Sequence, residues 1–355
     1  MSTYNFDGHK LAHHPERVAR FLAEGDCYPL YMEVSPVGAC NHRCIFCAYD
    51  FIGYPNRKLE KERTLALLDE LAESGLKSIL FAGEGEPLIH PDIAEFILRA
   101  RNNGIDVGLF SNGQLLKPEL AEIILPALTF VRLSFNGGSR ENYAKIHSVT
   151  PEAFDTVVAN IKAAALIKRQ SDLQVDIGAQ FVLIPENRDF VLSACEVLNE
   201  CGVDYLAIKP FMQRELQSYQ LDEQFSSASL DELFLALEGM AAGSFSVIAR
   251  RDTFLNCDGV RHYDHCYGTS FITVLNSAGE ISSCLPYWDQ PGYSFGNIYR
   301  NSFQEIWNSE QRSKVKAHLE QSLDTHCCPP NCRANAVNEF LWTLRHPQVK
   351  HINFI

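Results

Sequence analysis

Apolar residues follow two rhythms along the chain. Short β-branched runs at 30–38 (LYMEVSPVG), 77–83 (KSILFAG), 106–113 (DVGLFSNG), 130–137 (FVRLSFNG), 175–184 (VDIGAQFVLI) and 205–211 (YLAIKPF) read as strands. The stretches between them carry helix periodicity; in 60–74, Leu65, Leu67, Leu68 and Leu71 fall on one side. Strands alternating with helices predict βαβ units and a parallel sheet. Nearly all these strands end in Gly, Asn or Pro, the composition of tight turns at a ligand-facing edge. Six units suit an open, partial (β/α)6 barrel of the TIM type better than a closed eight-fold one, with chemistry expected at the C-terminal ends of its strands.

After about residue 215 the rhythm breaks. A polar, linker-like stretch (QRELQSYQLDEQFSSAS) precedes an amphipathic helix (LDELFLALEGMAAG), and from about 245 the chain is cysteine-rich with short strand-like runs such as FSVIARR and SFITVLN. The expected organisation is an N-terminal extension (1–28), a barrel (29–215), a linker and helix (216–244) and a smaller domain with a C-terminal helix (245–355). His9, His13 and His14 are expected to be solvated in the extension.

Composition limits the partners. A net charge of −13 argues against nucleic acid, which needs a basic face. No apolar stretch approaches the ~18 residues of a membrane span, and the N-terminus carries no readable signal peptide. The expected location is therefore the cytoplasm, where disulfides rarely persist. Twelve cysteines then call for metal binding or catalysis.

Cys40, Cys44 and Cys47 form CX3CX2C on the loop leaving the first strand. Zinc, a disulfide and an iron–sulfur cluster compete for them. Structural zinc takes four closed ligands, normally from paired CX2C knuckles, and His42 is too close to Cys44 for a second chelate arm. A disulfide leaves one thiol over. A [4Fe–4S] cube accepts three thiolates and leaves one iron open to a ligand that is not protein.

CNHRCIFC (40–47) resembles the cluster loop of radical S-adenosylmethionine (radical SAM) enzymes, whose open iron binds the amino and carboxylate groups of SAM. The resemblance places Phe46 near the adenine. GEGEP (83–87) resembles the family's GGEP motif, with Glu84 where its first glycine would stand. It implies SAM contacts from Gly83, Glu84, Gly85, Glu86 and Pro87. Glycine allows close backbone approach, and Glu86 can accept from an ammonium. FSNG (110–113) and LSFNG (133–137) match by position the segments holding the carboxylate and ribose, through Ser111, Asn112, Ser134 and Asn136. QFVLIPEN (180–187) resembles the segment flanking adenine, which brings in Gln180 and Val182, and IKPF (208–211) sets Lys209 at the mouth of the sixth strand.

A second cysteine set follows: Cys266 and Cys284 in CX12GX4C, with Gly279 in the turn of an expected hairpin, then Cys327, Cys328 and Cys332 in HCCPPNCR. This resembles the SPASM/Twitch extension of radical SAM proteins. The absence of a CX2CX5CX3C run points to the shorter Twitch form, a hairpin plus helix holding one auxiliary [4Fe–4S] cluster; a zinc ribbon is the alternative. Cys266, Cys284 and Cys332 are the expected ligands, with Cys328 preferred to Cys327 as the fourth. Cys195 and Cys201 read as small hydrophobes within a helix. Cys257 has three readings: a further auxiliary ligand, a hydrogen-atom donor to substrate, or a plain buried thiol.

The resemblance implies a SAM-derived 5′-deoxyadenosyl radical, hydrogen abstraction from an unactivated carbon, and an electron donor such as flavodoxin or ferredoxin. The roughly 28 residues ahead of the first strand are too few for a leader-peptide-binding domain. The expected substrate is therefore a small polar molecule of the sugar, aminocyclitol or nucleotide-sugar type, undergoing a two-electron oxidation. Lys209, Arg214, Arg250 and Arg251 are candidate anion contacts. Radical epimerisation and peptide or protein maturation are the alternatives; a non-catalytic iron–sulfur carrier would have no use for the SAM motifs.

Overall fold

The structure is a computed structural model that describes residues 8–214, 216–221, 225, 230–255, 259–330 and 332–354. Among the described residues ten strands form one sheet: β1 (Tyr31–Val34), β2 (Ser78–Phe81), β3 (Asp106–Ser111), β4 (Phe130–Ser134), β5 (Asp176–Leu183), β6 (Tyr205–Pro210), β7 (Ser246–Ala249), β8 (Ile272–Leu275), β9 (Glu280–Ser282) and β10 (Ser294–Asn297). The order is β10-β9-β8-β1-β2-β3-β4-β5-β6-β7. β1 to β6 are the six strands expected from the apolar runs, paired in parallel and in sequence. The helices between them include Lys61–Glu73, where Leu67, Leu68 and Leu71 are buried, and Val191–Cys201, where Cys195 and Cys201 join the core as small hydrophobes.

Side chains alternate along these strands, as the pleat requires. Met32, Val34, Ile79, Phe81, Val131 and Leu133 belong to the apolar core shared with the helices. Their neighbours Tyr31, Glu33, Ser78, Leu80, Phe130, Arg132 and Ser134 line a central cavity. One face of the sheet is thus built by the hydrophobic effect, and the other is left to ligands.

Three regions differ from the sequence reading. β7, within the run assigned to the small domain, pairs in parallel with β6 and extends the barrel sheet. The cysteine-rich segment does not stand apart either: its hairpin, β8 and β9, adds β8 in parallel to β1. Gly279 turns that hairpin at φ +83, and a Cβ there would meet the Tyr299 ring at 2.6 Å. Finally, the N-terminal extension contains a helix, Pro15–Glu24, ended by Gly25 in the left-handed region. Its Val18 and Phe21 are buried with Tyr267, Phe271 and Leu341 of the C-terminal region, and His9 stacks on Phe340 at 4.2 Å. The wide polar face of this helix hid its narrow apolar stripe.

Candidate active site between two cysteine groups

The loop after β1 is tied down at both ends. Arg43 and Ile45 donate backbone hydrogen bonds to the carbonyls of His147 and Ile146, at 3.0 Å each. On the other side, Gly85 lies so close to this loop that a Cβ would sit 2.3 Å from the Val37 carbonyl oxygen and 2.5 Å from that of Ala39. Gly83 has φ +101, and its missing side chain leaves room for Ser35. GEGEP is glycine-rich because two loops touch there.

Cys40, Cys44 and Cys47 are free thiols on the cavity wall. Burial pushes Cys40 up to about 12 and raises Cys44 and Cys47; charge on Cys47 raises both of the others further. Buried thiols that crowd one another resist ionisation unless a cation shares their charge. That donor set fits an iron–sulfur cluster.

The second group is assembled from three segments. Cys266 and Cys284 are raised first by burial and next by Cys332, while Cys328 is raised by burial and by Cys332. Cys266, Cys284 and Cys328 therefore each lie within electrostatic reach of Cys332, and four such thiols are a donor set that fits one cluster. Cys327 is not among them. It is exposed and donates to Asp324 at 3.4 Å, because the turn at Thr325–Cys327 points it outward. Cys328 takes the inward place. Cys257 lies outside the described residues.

Glu86 is buried and organises the loops after β2 and β3. Its carboxylate accepts from Leu88 N at 3.1 Å, Ser111 Oγ at 2.8 Å and Asn112 N at 2.7 Å. Burial nevertheless raises its pKa above the ordinary value. Asn112 in turn donates to Asn41 Oδ1 at 2.7 Å, linking this network to the cysteine loop. Gly83, Gly85, Glu86, Pro87, Ser111, Asn112, Ser134, Gln180 and Lys209 all line the cavity.

Glu84, Asn136, Val182 and Phe46 are not on that wall. Glu84 turns the other way, into the junction with the C-terminal hairpin. It accepts from Ser277 N at 3.0 Å, from Ser277 Oγ and from Trp288 Nε1 at 2.9 Å, and it pairs with Arg57 at 3.4 Å. This corrects its assignment as a SAM contact: the side chain is consumed by a domain junction. Asn136 Oδ1 accepts from Val182 N at 2.7 Å, so these two groups hold the β4 and β5 loops together rather than offering free polar atoms. Phe46 and Val182 share an apolar patch with Ile184 and Phe211 beside the cysteine loop.

Sequence reasoning missed His147. Its Nε2 faces two donors, Asn136 N at 3.3 Å and Asn136 Nδ2 at 3.4 Å, so the ring proton sits on Nδ1. Nδ1 lies 3.2 Å from Cys44 Sγ and 3.4 Å from His42 Nδ1. The His42 ring is set by Gln114 Oε1 at 2.7 Å from its Nε2, which makes that nitrogen the donor and leaves Nδ1 as an acceptor. His42, Cys44 and His147 could also be read as a small metal triad, but Cys44 already belongs to the thiol group. Glu33, Arg132 and Arg333 were missed too. Arg333 pairs with Glu33 at 2.6 Å and donates to Tyr31 OH, joining the C-terminal domain to β1 inside the cavity.

The cavity measures about 1000 Å³, and both groups reach it: Cys40, Cys44 and Cys47 from one side, Cys284 and Cys332 from the other. A second cavity of about 530 Å³, between Glu280 and Arg300, contains no cysteine. Among the described residues no helix is long and apolar enough to cross a membrane.

A partial barrel with a three-thiol loop after its first strand, and a further thiol group facing it, defines an iron–sulfur protein built to hold SAM. Residues 34–189 match the radical SAM superfamily and residues 266–333 match SPASM, an iron–sulfur cluster-binding domain. The chain belongs to the radical SAM superfamily and carries a C-terminal SPASM domain. It is 29% identical over 174 residues to a probable GTP 3′,8-cyclase of Saccharolobus solfataricus, covering 49% of this chain and 54% of that protein. The match thus spans about half the length of that relative. It is 23% identical over 324 residues to the tungsten-containing aldehyde ferredoxin oxidoreductase cofactor-modifying protein of Pyrococcus furiosus, covering 84% and 85%. Among solved structures, Streptococcus suis SuiB bound to S-adenosylmethionine shares the fold, with a TM-score of 0.64 at 16% identity over 86% of this chain and 72% of that one.

Proposed function

We propose that the protein carries out a radical two-electron oxidation of a small polar molecule held in the cavity between the two cysteine groups. One observation carries this reading: Cys40, Cys44 and Cys47 share a single cavity with Cys284 and Cys332. When bound, SAM and the two clusters supply a 5′-deoxyadenosyl radical and an electron acceptor. The chain's own residues supply the rest. Cys40, Cys44 and Cys47 hold the first cluster, and Cys266, Cys284, Cys328 and Cys332 hold the second. Glu86, with its three donors, fixes the loops around the SAM space, and Ser134 and Gln180 offer polar groups to it. Lys209 stands on the cavity wall as a substrate contact. The substrate loses a hydrogen atom, a proton and an electron. Cys284 and Cys332, which line the same cavity, would hold the group that accepts that electron.

The relatives named for GTP cyclisation and for cofactor modification support a small-molecule substrate over a peptide. A low-potential donor of the flavodoxin or ferredoxin type, in the cytoplasm, suits the chemistry. Cys257 is given no hydrogen-donor role.

Anaerobic reconstitution and product analysis against a metabolite extract test this reading. The expected product is two mass units lighter, formed with equal consumption of SAM, and Cys257→Ala leaves it unchanged. A product of unchanged mass carrying one solvent deuterium, lost in Cys257→Ala, would establish epimerisation instead.

A further inference from the structure

The chain is acidic, with 44 Asp and Glu against 31 Lys and Arg, yet four arginines gather around Lys209 in its cavity. Lys209, Arg132, Arg214, Arg250 and Arg333 all line it. Some of this charge is used. Arg333 is paired with Glu33, and Arg132 donates to Tyr205 OH at 3.0 Å and lies over the Phe110 ring at 4.9 Å. Two groups are left wanting. Arg214 is only 8% exposed, lies over the Tyr49 ring at 4.8 Å and donates from its side chain to the Leu285 carbonyl at 3.3 Å and to Tyr49, while its buried Nε has no partner among the described residues. The Lys209 ammonium has no hydrogen-bonding partner among the described residues, and burial, to which the four arginines add, pushes its pKa down to about 7. Asp252 and Glu339 also reach this cavity, but no described ion pair joins either to Lys209 or Arg214.

Like charges enclosed together are costly unless an anion is supplied. We propose that this group of cations is an oxyanion subsite for the substrate, where Lys209 and Arg214 hold a phosphate or carboxylate group and Arg250 and Arg132 add positive charge around it. Guanidinium and ammonium donors converging on one space suit either oxyanion. This inference rests on reading the cavity as a substrate site. Its test reads binding rather than turnover, so the two can fail separately. Arg214 also lies near enough to Cys47 and Cys332 to favour their thiolates, so the competing role is charge balance for the clusters.

The test uses reconstituted holoenzyme saturated with SAM, titrated calorimetrically with inorganic pyrophosphate and, in a separate arm, with malonate. We expect at least one anion to bind, the tighter of the two assigning phosphate or carboxylate. Lys209→Met and Arg214→Met should each weaken it about tenfold or more, the scale of a charged hydrogen bond. Lys209→Arg should keep most of the binding, which guards against a folding artefact. Arg140→Gln, from the surface ion pairs with Glu152 and Asp155, should leave it unchanged. Iron content and SAM affinity should hold in Lys209→Met. The proposal is overturned if wild type binds neither anion at about 10 mM. It is also overturned if the variants lose iron or SAM affinity while anion binding persists, which would give the cations to the clusters or to the SAM carboxylate.

Discussion

The two cysteine groups are made in opposite ways. Cys40, Cys44 and Cys47 come from one loop, held by backbone hydrogen bonds to residues 146–147 and by close contact with Gly85. Cys266, Cys284, Cys328 and Cys332 come from three segments around a hairpin that joins the barrel sheet beside β1. The first group is therefore a local structure presented by a finished scaffold, whereas the second helps to finish the scaffold. A cluster in the first place should matter to chemistry and little to stability. A cluster in the second should matter to both, because it cross-links distant parts of the chain.

The largest effect expected is on chemistry. Cys40/Cys44/Cys47→Ala should abolish SAM cleavage and leave about half of the roughly eight irons expected for two cubes, with the thermal midpoint little changed. Cys266/Cys284→Ser should retain the other half of the iron and lose on the order of 3 kcal/mol, the scale of a cross-link closing a long loop, as read from urea unfolding. If the loop variant proves the less stable of the two, the comparison is wrong.

Glu84 and Glu86 repeat the contrast two positions apart. Glu86 faces the SAM side and gathers the β2 and β3 loops; Glu84 faces the hairpin and gathers Ser277, Trp288 and Arg57. Glu84→Gly restores the residue of the family motif and leaves donors of three residues, Ser277, Trp288 and Arg57, without their acceptor. Breaking a fully buried ion pair costs about 3–5 kcal/mol; here the Arg57 side chain is 33% exposed and water takes up part of the loss, so about 2 kcal/mol is expected. Urea titration checks this, and binding of SAM should persist.

Much of this was legible in the chain and some of it was not, for physical reasons. Strand positions followed from apolar runs because one face of each strand is core. By the same alternation Glu33, Arg132 and Lys209 stand out as charges inside apolar runs, although only Lys209 was singled out. The cysteine loop is contiguous, so spacing revealed it. The choice between Cys327 and Cys328 turns on one residue's rotation in a turn, which spacing does not encode. Glu84 sits in a motif by sequence and at a junction by geometry, because its partners lie about 200 positions away. The edge strand β7 looked like part of the next domain because a polar stretch precedes it.

His147 gives the finest test of the first group as a local, tunable structure. It follows the cysteine loop by a hundred positions and carries no motif, yet its ring nitrogen lies 3.2 Å from Cys44 Sγ. Because Asn136 donates to Nε2, the Nδ1 proton faces the sulfur, and burial holds the imidazole neutral by pushing its pKa well below the ordinary value. An N–H directed at a cluster thiolate stabilises the more negative, reduced state and raises the potential. His147→Phe keeps the apolar contacts with Tyr143, against which the ring stacks at 4.1 Å, and removes the proton. One hydrogen bond worth about 1 kcal/mol corresponds to roughly 40 mV for a single electron, so the first cluster should become harder to reduce by that order. An EPR-monitored redox titration reads this directly, with iron content and the auxiliary signal as internal controls. An unchanged potential at full iron loading would show that the proton is given to His42 instead, and that the cysteine loop alone sets the cluster.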